Sequence, residues 1–161
     1  MKKTNKGFSL VELIIVIAIM AILAAALAPA LIRYIDKSRR SSDLSNAGIL
    51  QSAAQSAAAD ETAYTEISGA MDKTKDVNIL QAAADGKTAW KIEATTGVQN
   101  GGKTFLDEFT STAGKNAPAL KLRKGAPSKP EWHVAVTPEG GFKVLINKTE
   151  LVPSAHDIWA K

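Results

Sequence analysis

Gly7–Leu13 reads GFSLVEL and stands between a short basic leader, MKKTNK, and a long apolar run. From Leu10 to Ile32 the chain carries a single charged side chain, Glu12, over 23 residues. At about 1.5 Å per residue, an unbroken helix of that length reaches roughly 34 Å, enough for a hydrocarbon core of about 30 Å. The run can therefore cross a membrane, and Lys2, Lys3 and Lys6 favour a cytoplasmic location for its leading end. Arg33, Lys37, Arg39 and Arg40 follow the run, offset nearby only by Asp36, so charge bias alone leaves the orientation open.

Three architectures fit this pattern. A secretory signal peptide would combine the basic start with a small-residue cleavage site, for which Ala24-Ala25-Ala26 and Ala28-Pro29-Ala30 are candidates. An uncleaved single-span anchor needs no cut at all. In the third, the cut follows Gly7 and the apolar run stays in the mature chain. Glu12 separates them. Inside a span an acidic residue costs about 2.5–3.5 kcal/mol on insertion scales, so a plain signal or anchor is better served by leucine. If the chain begins at Phe8, the new α-amino group lies one turn from Glu12. With a reference pKa of about 7.7–8.0 it is mostly cationic at neutral pH and can neutralise the carboxylate. A carboxylate in the first turn also meets the positive end of the helix dipole, worth about 0.3–1 kcal/mol, which accounts for Glu12 without any partner.

Taken together, the basic leader, Gly7, Phe8 and Glu12 resemble the type IV pilin and pseudopilin superfamily. The resemblance runs closely from Lys6 to Ile32 and loosely over the next turns. It implies that a membrane aspartyl peptidase, which is also a methyltransferase, cuts after Gly7 and methylates the amino group of Phe8. It also implies that Glu12 pairs with the terminal amine of a neighbouring subunit during assembly. Ser9 stands where threonine is common in the family, and Pro29 matches the proline typical of the hydrophobic segment. That proline removes an N–H and presses its ring on the carbonyl of Ala25, so the helix must kink or loosen there. The resemblance implies that the segment before Pro29 can melt in the filament. Ala21 replaces a glycine found in many relatives, and alanine favours helix by about 0.8–1 kcal/mol, which limits such melting. The alanines at 18, 21, 24, 25, 26, 28 and 30 suit a helix that first faces lipid and later packs closely against copies of itself.

The partners implied are further copies of the chain in a helical filament, the peptidase, a membrane-embedded ATPase-driven assembly machine, and the membrane itself before assembly. The location implied is a single-pass cytoplasmic-membrane monomer that becomes part of an extracellular pilus. Within the superfamily the alternative is a pseudopilin of secretion or DNA uptake. From another class, the alternative is a secreted binding domain with a cleaved signal peptide.

Of the 161 residues, 20 are Lys or Arg and 16 are Asp or Glu; removing the three leader lysines leaves 17 cations, a mature balance of +1. Nucleic acid is thus weakly supported as a partner of the mature body. With no cysteine the chain forms no disulfide. Many Gram-negative pilins close their C-terminal region with one, so its absence points to another lineage, a Gram-positive one among them.

The chain divides into a leader over 1–7, an apolar helix over 8–32, an amphipathic continuation over 33–60 and a head over 61–161. The spacing of Ile35, Ile49, Leu50, Ala53, Ala54 and Ala57 predicts a helix that continues to about Ala59, with Arg39, Arg40, Asp43, Gln51 and Gln55 on other faces. Its apolar stripe must lie on something, and the head is the candidate. There Asp76 is expected to cap a short helix through Asp85, closed by Gly86, with Ile79, Leu80, Ala83 and Ala84 on one side. Alternation predicts strands around Trp90, Ile92 and Ala94, around Leu120 and Leu122, and around Trp132, Val134 and Val136. Glu139-Gly140-Gly141 turns the last of these toward Phe142, Val144 and Ile146. Residues 96–103 and 124–130 read as loops, and Phe105, Leu106 and Phe109 as a short helical turn. The expected fold class is α+β and pilin-like, a long helix packed on a small antiparallel sheet.

No catalytic constellation stands out, and an enzyme is not expected. His133 and His156 have no cysteine or serine motif to serve and read as surface or satisfied core groups. The acids of the head lack the regular spacing of a calcium loop, and no cofactor or metal is implied. Asn147-Lys148-Thr149 fits a glycosylation sequon but reads as strand-end sequence. Trp90, Trp132 and Trp159 read as packing groups. The cations at 33, 37, 39 and 40 have three readings: lipid phosphates before assembly, acidic groups of neighbouring subunits afterwards, or a solvated face.

Overall fold

Leu10–Ala57 forms one α-helix, α1, in a computed structural model that describes residues 8–71, 74–94, 96–122, 127–147 and 149–152. The fold divides into two units, Met1–Lys37 and Ser38–Lys161. In the first, the described part of α1 exposes its apolar side chains all round, with a window of mean hydropathy 3.0 and none of it buried. The helix assignment continues through Pro29, so the N–H that proline lacks is absorbed without a break. Residues 1–7, the expected leader with Gly7, lie outside the described residues.

The second unit holds the rest of α1 and the head. Helix α2 is Glu61–Ser68, started by Asp60, whose Oδ1 accepts the Ala63 N–H at 2.9 Å. Strand β1 is Val77–Ala83 and β2 is Lys91–Ile92. A 3-10 turn at Gln99–Gly102 leads into α3, Lys103–Ala113, and strands β3, Glu131–Val136, β4, Phe142–Ile146, and β5, Thr149–Val152, close the described chain. The five strands form one sheet in the order β2-β1-β3-β4-β5, antiparallel throughout.

Ala47, Leu50, Ala53, Ala54 and Ala57 of α1 are fully buried in one core with Ile79, Trp132, Val134, Val136, Val144 and Ile146 of the sheet. The α+β reading holds: the C-terminal part of the long helix packs on a small antiparallel sheet. The buried stripe differs in detail from the expected one, because Ile49 is 51% exposed and Asp43, assigned to another face, is fully buried. The Asp43 carboxylate accepts the backbone N–H of Lys121 at 2.9 Å and of Leu122 at 2.7 Å, one on each oxygen. Gln51 also faces the sheet, its Nε2 donating to the Phe142 carbonyl at 2.8 Å. Burial pushes the Asp43 carboxyl above the usual aspartate range, against the opposing effect of those two N–H groups and of the Lys121 charge.

Three local expectations fail. The stretch 77–83 is strand β1, not the helix expected to run from Asp76 to Asp85. A register shift between Asn78 and Leu80 buries the consecutive side chains Ile79 and Leu80, which breaks the alternation that marks a strand and leaves a helix-like pair. Asp76 caps nothing; its carboxylate receives the Lys143 ammonium at 2.9 Å, across the sheet. Residues 120–122 form no strand, because their backbone is held by Asp43 and by the Leu120 N–H donating to the Ala84 carbonyl at 2.9 Å. The expected strand around Trp90 shrinks to the two residues of β2, with Thr95 outside the described residues.

The β3–β4 hairpin forms where alternation and the glycine pair place it. Gly140 takes φ +81°, a left-handed conformation that glycine adopts freely, and the Thr137 N–H donates to the Gly141 carbonyl at 2.8 Å. Phe105, Leu106 and Phe109 belong to the three-turn α3 rather than to a single turn. Gly102, at its start, offers no side-chain cap, and Glu66 of α2 supplies one: Oε2 accepts the Thr104 N–H at 2.7 Å and the Phe105 N–H at 3.1 Å, and Oε1 accepts the Thr104 hydroxyl at 2.8 Å. Phe105 and Phe109 then stack, with Trp90 edge-on to Phe109 at 5.1 Å and Phe142 stacked on Phe105 at 5.9 Å. Trp90 and Trp132 are both buried; Trp159 and His156 lie outside the described residues.

Candidate functional site

Phe8 stands before the helix and is 88% exposed. Ser9 begins α1: its carbonyl accepts the Leu13 N–H at 3.2 Å, and its hydroxyl accepts the Val11 N–H at 3.3 Å. Glu12 folds back, and its Oε2 accepts the Ser9 N–H at 2.8 Å. This is the serine-to-glutamate reciprocal cap that satisfies the otherwise orphaned N–H groups of a first turn. The spacing Ser9-x-x-Glu12 carries the signature of this cap in the sequence, set inside an apolar run whose lone charge has a second reading as an ion-pair partner. Among the described residues, Oε1 of Glu12 has no partner.

Glu12 thus lies on the exposed first turn with Ser9 as the group that fixes its carboxylate, and Phe8 stands exposed just ahead of that turn. Pro29 lies far along α1 and is part of no common site with them. Chemically, the arrangement leaves one carboxylate oxygen of Glu12 open to a cation. His133 is held elsewhere, buried, with Nδ1 2.9 Å from Glu93 Oε2, a tie between β3 and the segment after β2. Asn147 turns the chain between β4 and β5 at φ +53°, its side-chain oxygen accepting the Glu131 N–H at 2.8 Å.

The chain thus carries an apolar helix, capped at its start by Glu12 and long and apolar enough to cross a membrane, together with a packed α+β head. Residues 2–28 match the family described as the prokaryotic N-terminal methylation motif. Over 157 residues, 94% of this chain and 82% of the relative, the chain is 32% identical to the type IV major fimbrial protein FimA of Dichelobacter nodosus. It is also 32% identical over 123 residues, 71% of this chain and 80% of the relative, to the fimbrial protein EcpC of Eikenella corrodens. The chain belongs to the type IV pilin family. No solved structure matches it significantly. Neither relative lends support to a Gram-positive lineage.

Proposed function

We propose that this chain is the structural subunit of a type IV pilus, made as a membrane-anchored precursor, cut after Gly7, methylated on Phe8 and polymerised through its apolar helix. The observation that carries the reading is the fully exposed apolar helix with Glu12 at its start. In water, such a surface is stable only in lipid or against further copies. The fimbrial relatives support a pilus over a secretion pseudopilin and a structural over a catalytic role.

In this reading the peptidase cuts between Gly7 and Phe8, and Phe8 is exposed ahead of the first helical turn. Once the leader is gone, the Phe8 amine is the new cation. Glu12 keeps its Oε2 on the Ser9 N–H while Oε1 accepts the amine of a neighbouring subunit as that subunit docks. The pair forms in a water-poor setting, where an unpaired carboxylate is costly and a paired one specifies axial position. Pro29 leaves the Ala25 carbonyl without its helical donor, a place where α1 can yield as copies pack.

The test compares the ratio of processed monomer to sheared surface filament across variants. Glu12→Gln and Glu12→Leu should be cut normally and accumulate in the membrane with few or no filaments. Gly7→Val should retain the leader, which intact mass reads directly. Wild-type filament yield from Glu12→Leu would reduce Glu12 to a helix cap and remove its assembly role.

A further inference from the structure

Immediately beyond the apolar run, α1 carries Arg33, Tyr34 and Lys37 on its surface, all exposed, with Tyr34 at 73%. At 100° per residue Arg33 and Lys37 lie about 40° apart and Tyr34 about 60° from Lys37, so the three share one side of the helix within one and a half turns. Among the described residues neither Arg33 nor Lys37 has a hydrogen-bond or ion-pair partner, whereas Asp36, Arg39 and Arg40 are each engaged. With the apolar run in hydrocarbon, Arg33 is the first side chain past its end and falls at the headgroup layer opposite the leader. A tyrosine flanked by two free cations there has the chemistry of an interfacial anchor, its ring at headgroup depth and its cations on phosphate.

We infer that Arg33, Tyr34 and Lys37 form a lipid-phosphate collar that binds anionic phospholipid and fixes the depth of the unassembled subunit. Charge bias at the two ends of the span is nearly balanced, so these cations contribute little to orientation. Their setting suits lipid better than protein: they are exposed on a segment that exposes every apolar neighbour as well, and phosphate is the anion that a membrane supplies at this level. A cation near an anionic surface contributes about fivefold in affinity, ~1 kcal/mol, and salt screens it within about 3 Å at 1 M. Polymerisation would release this lipid, so collar strength sets how readily a subunit leaves the membrane.

The inference rests on the membrane reading of the apolar helix, and the experiment separates the two. The full chain carrying Lys2→Gln, Lys3→Gln and Lys6→Gln, which removes the leader's lysine charges, is reconstituted in phosphatidylcholine vesicles. Electron spin resonance of spin-labelled phosphatidylglycerol and phosphatidylcholine then gives the relative association of each lipid with the protein. A several-fold preference for phosphatidylglycerol is expected, reduced in 1 M salt, and falling to near parity when Arg33→Gln and Lys37→Gln are added. Proteolysis from outside must leave the span protected in both forms. An inserted chain with no preference, or one whose preference survives the two substitutions, overturns the collar alone. A chain that does not insert overturns the collar and the membrane reading together.

Discussion

Replacing Asp43 by alanine tests whether a buried carboxylate, rather than the apolar stripe alone, holds α1 to the head. The setting is the fragment Ser38–Lys161, which contains the whole core and lacks the apolar span. Asp43 accepts two backbone N–H groups, at 2.9 and 2.7 Å, on separate oxygens, and is fully buried. A hydrogen bond to a charged group contributes about 1.5–3 kcal/mol, and stranding a buried N–H costs about 1–3 kcal/mol. The desolvation that the wild-type carboxylate suffers offsets part of this, leaving an expected loss of about 2–4 kcal/mol. At a urea slope of roughly 1.5 kcal/mol/M, the midpoint should fall by about 1.3–2.7 M with the slope unchanged. Asp43→Asn should recover less than half, since its amide nitrogen must face one of two donors. The pH dependence has a definite sign. The folded-state pKa is raised, so the group's contribution to stability is fullest below the unfolded value of about 3.9 and declines as pH rises through the folded value. The gap between wild type and Asp43→Ala should therefore narrow from pH 3 to pH 7. A loss under about 1 kcal/mol, or a gap that widens with pH, would refute the reasoning.

Glu66→Ala removes three bonds from the start of α3, including both N–H groups that Gly102 leaves uncapped, and should lower fragment stability by about 2–4 kcal/mol; amide hydrogen exchange should show the loss concentrated in residues 103–113. Gly97→Ala places a Cβ 2.0 Å from the Gly69 carbonyl oxygen at φ +77°, so it should lower Tm by roughly 6 °C or more, and an unchanged Tm would mean that the two loops are not in contact. Gly48→Ala meets nothing within 4 Å on α1 and should instead stabilise the fragment by about 0.8–1 kcal/mol, read by urea denaturation.

The long helix and the β3–β4 hairpin are legible because each follows from one dominant local force. Hydropathy fixes α1, and strict alternation at Trp132, Val134 and Val136 with Gly140 at the turn fixes the hairpin. Strand β1 is not legible, because its bulge puts Ile79 and Leu80 on the same side and Ala82-Ala83-Ala84 carries helix propensity that only the neighbouring strand overrides. Helix α2 escapes notice although Asp60 announces its start, since only Ala63, Glu66 and Ile67 of it are buried. The partners of Asp43 and Glu66 are 78 and 38 residues away in sequence, beyond any local pattern. At the candidate site the sequence singles out Gly7, Phe8 and Glu12, of which Gly7 lies outside the described residues, whereas the capping bonds of Ser9 emerge only from the geometry of the first turn.

The alanine face of α1 has a consequence for alignment. A slip of α1 by four residues would bring Ala57 and Ala58 to the places of Ala53 and Ala54, so that part of the apolar contact would hardly register the error. Alanine has no rotamers to choose among and no shape to match, which makes close approach cheap in side-chain entropy and poor in positional information. Asp43, Leu50 and Gln51 supply what the alanines lack: after the slip, Asp43 would lose both backbone N–H groups, Leu50 its pocket and Gln51 the Phe142 carbonyl. The helix is held near the sheet by small residues and held in register by three larger ones.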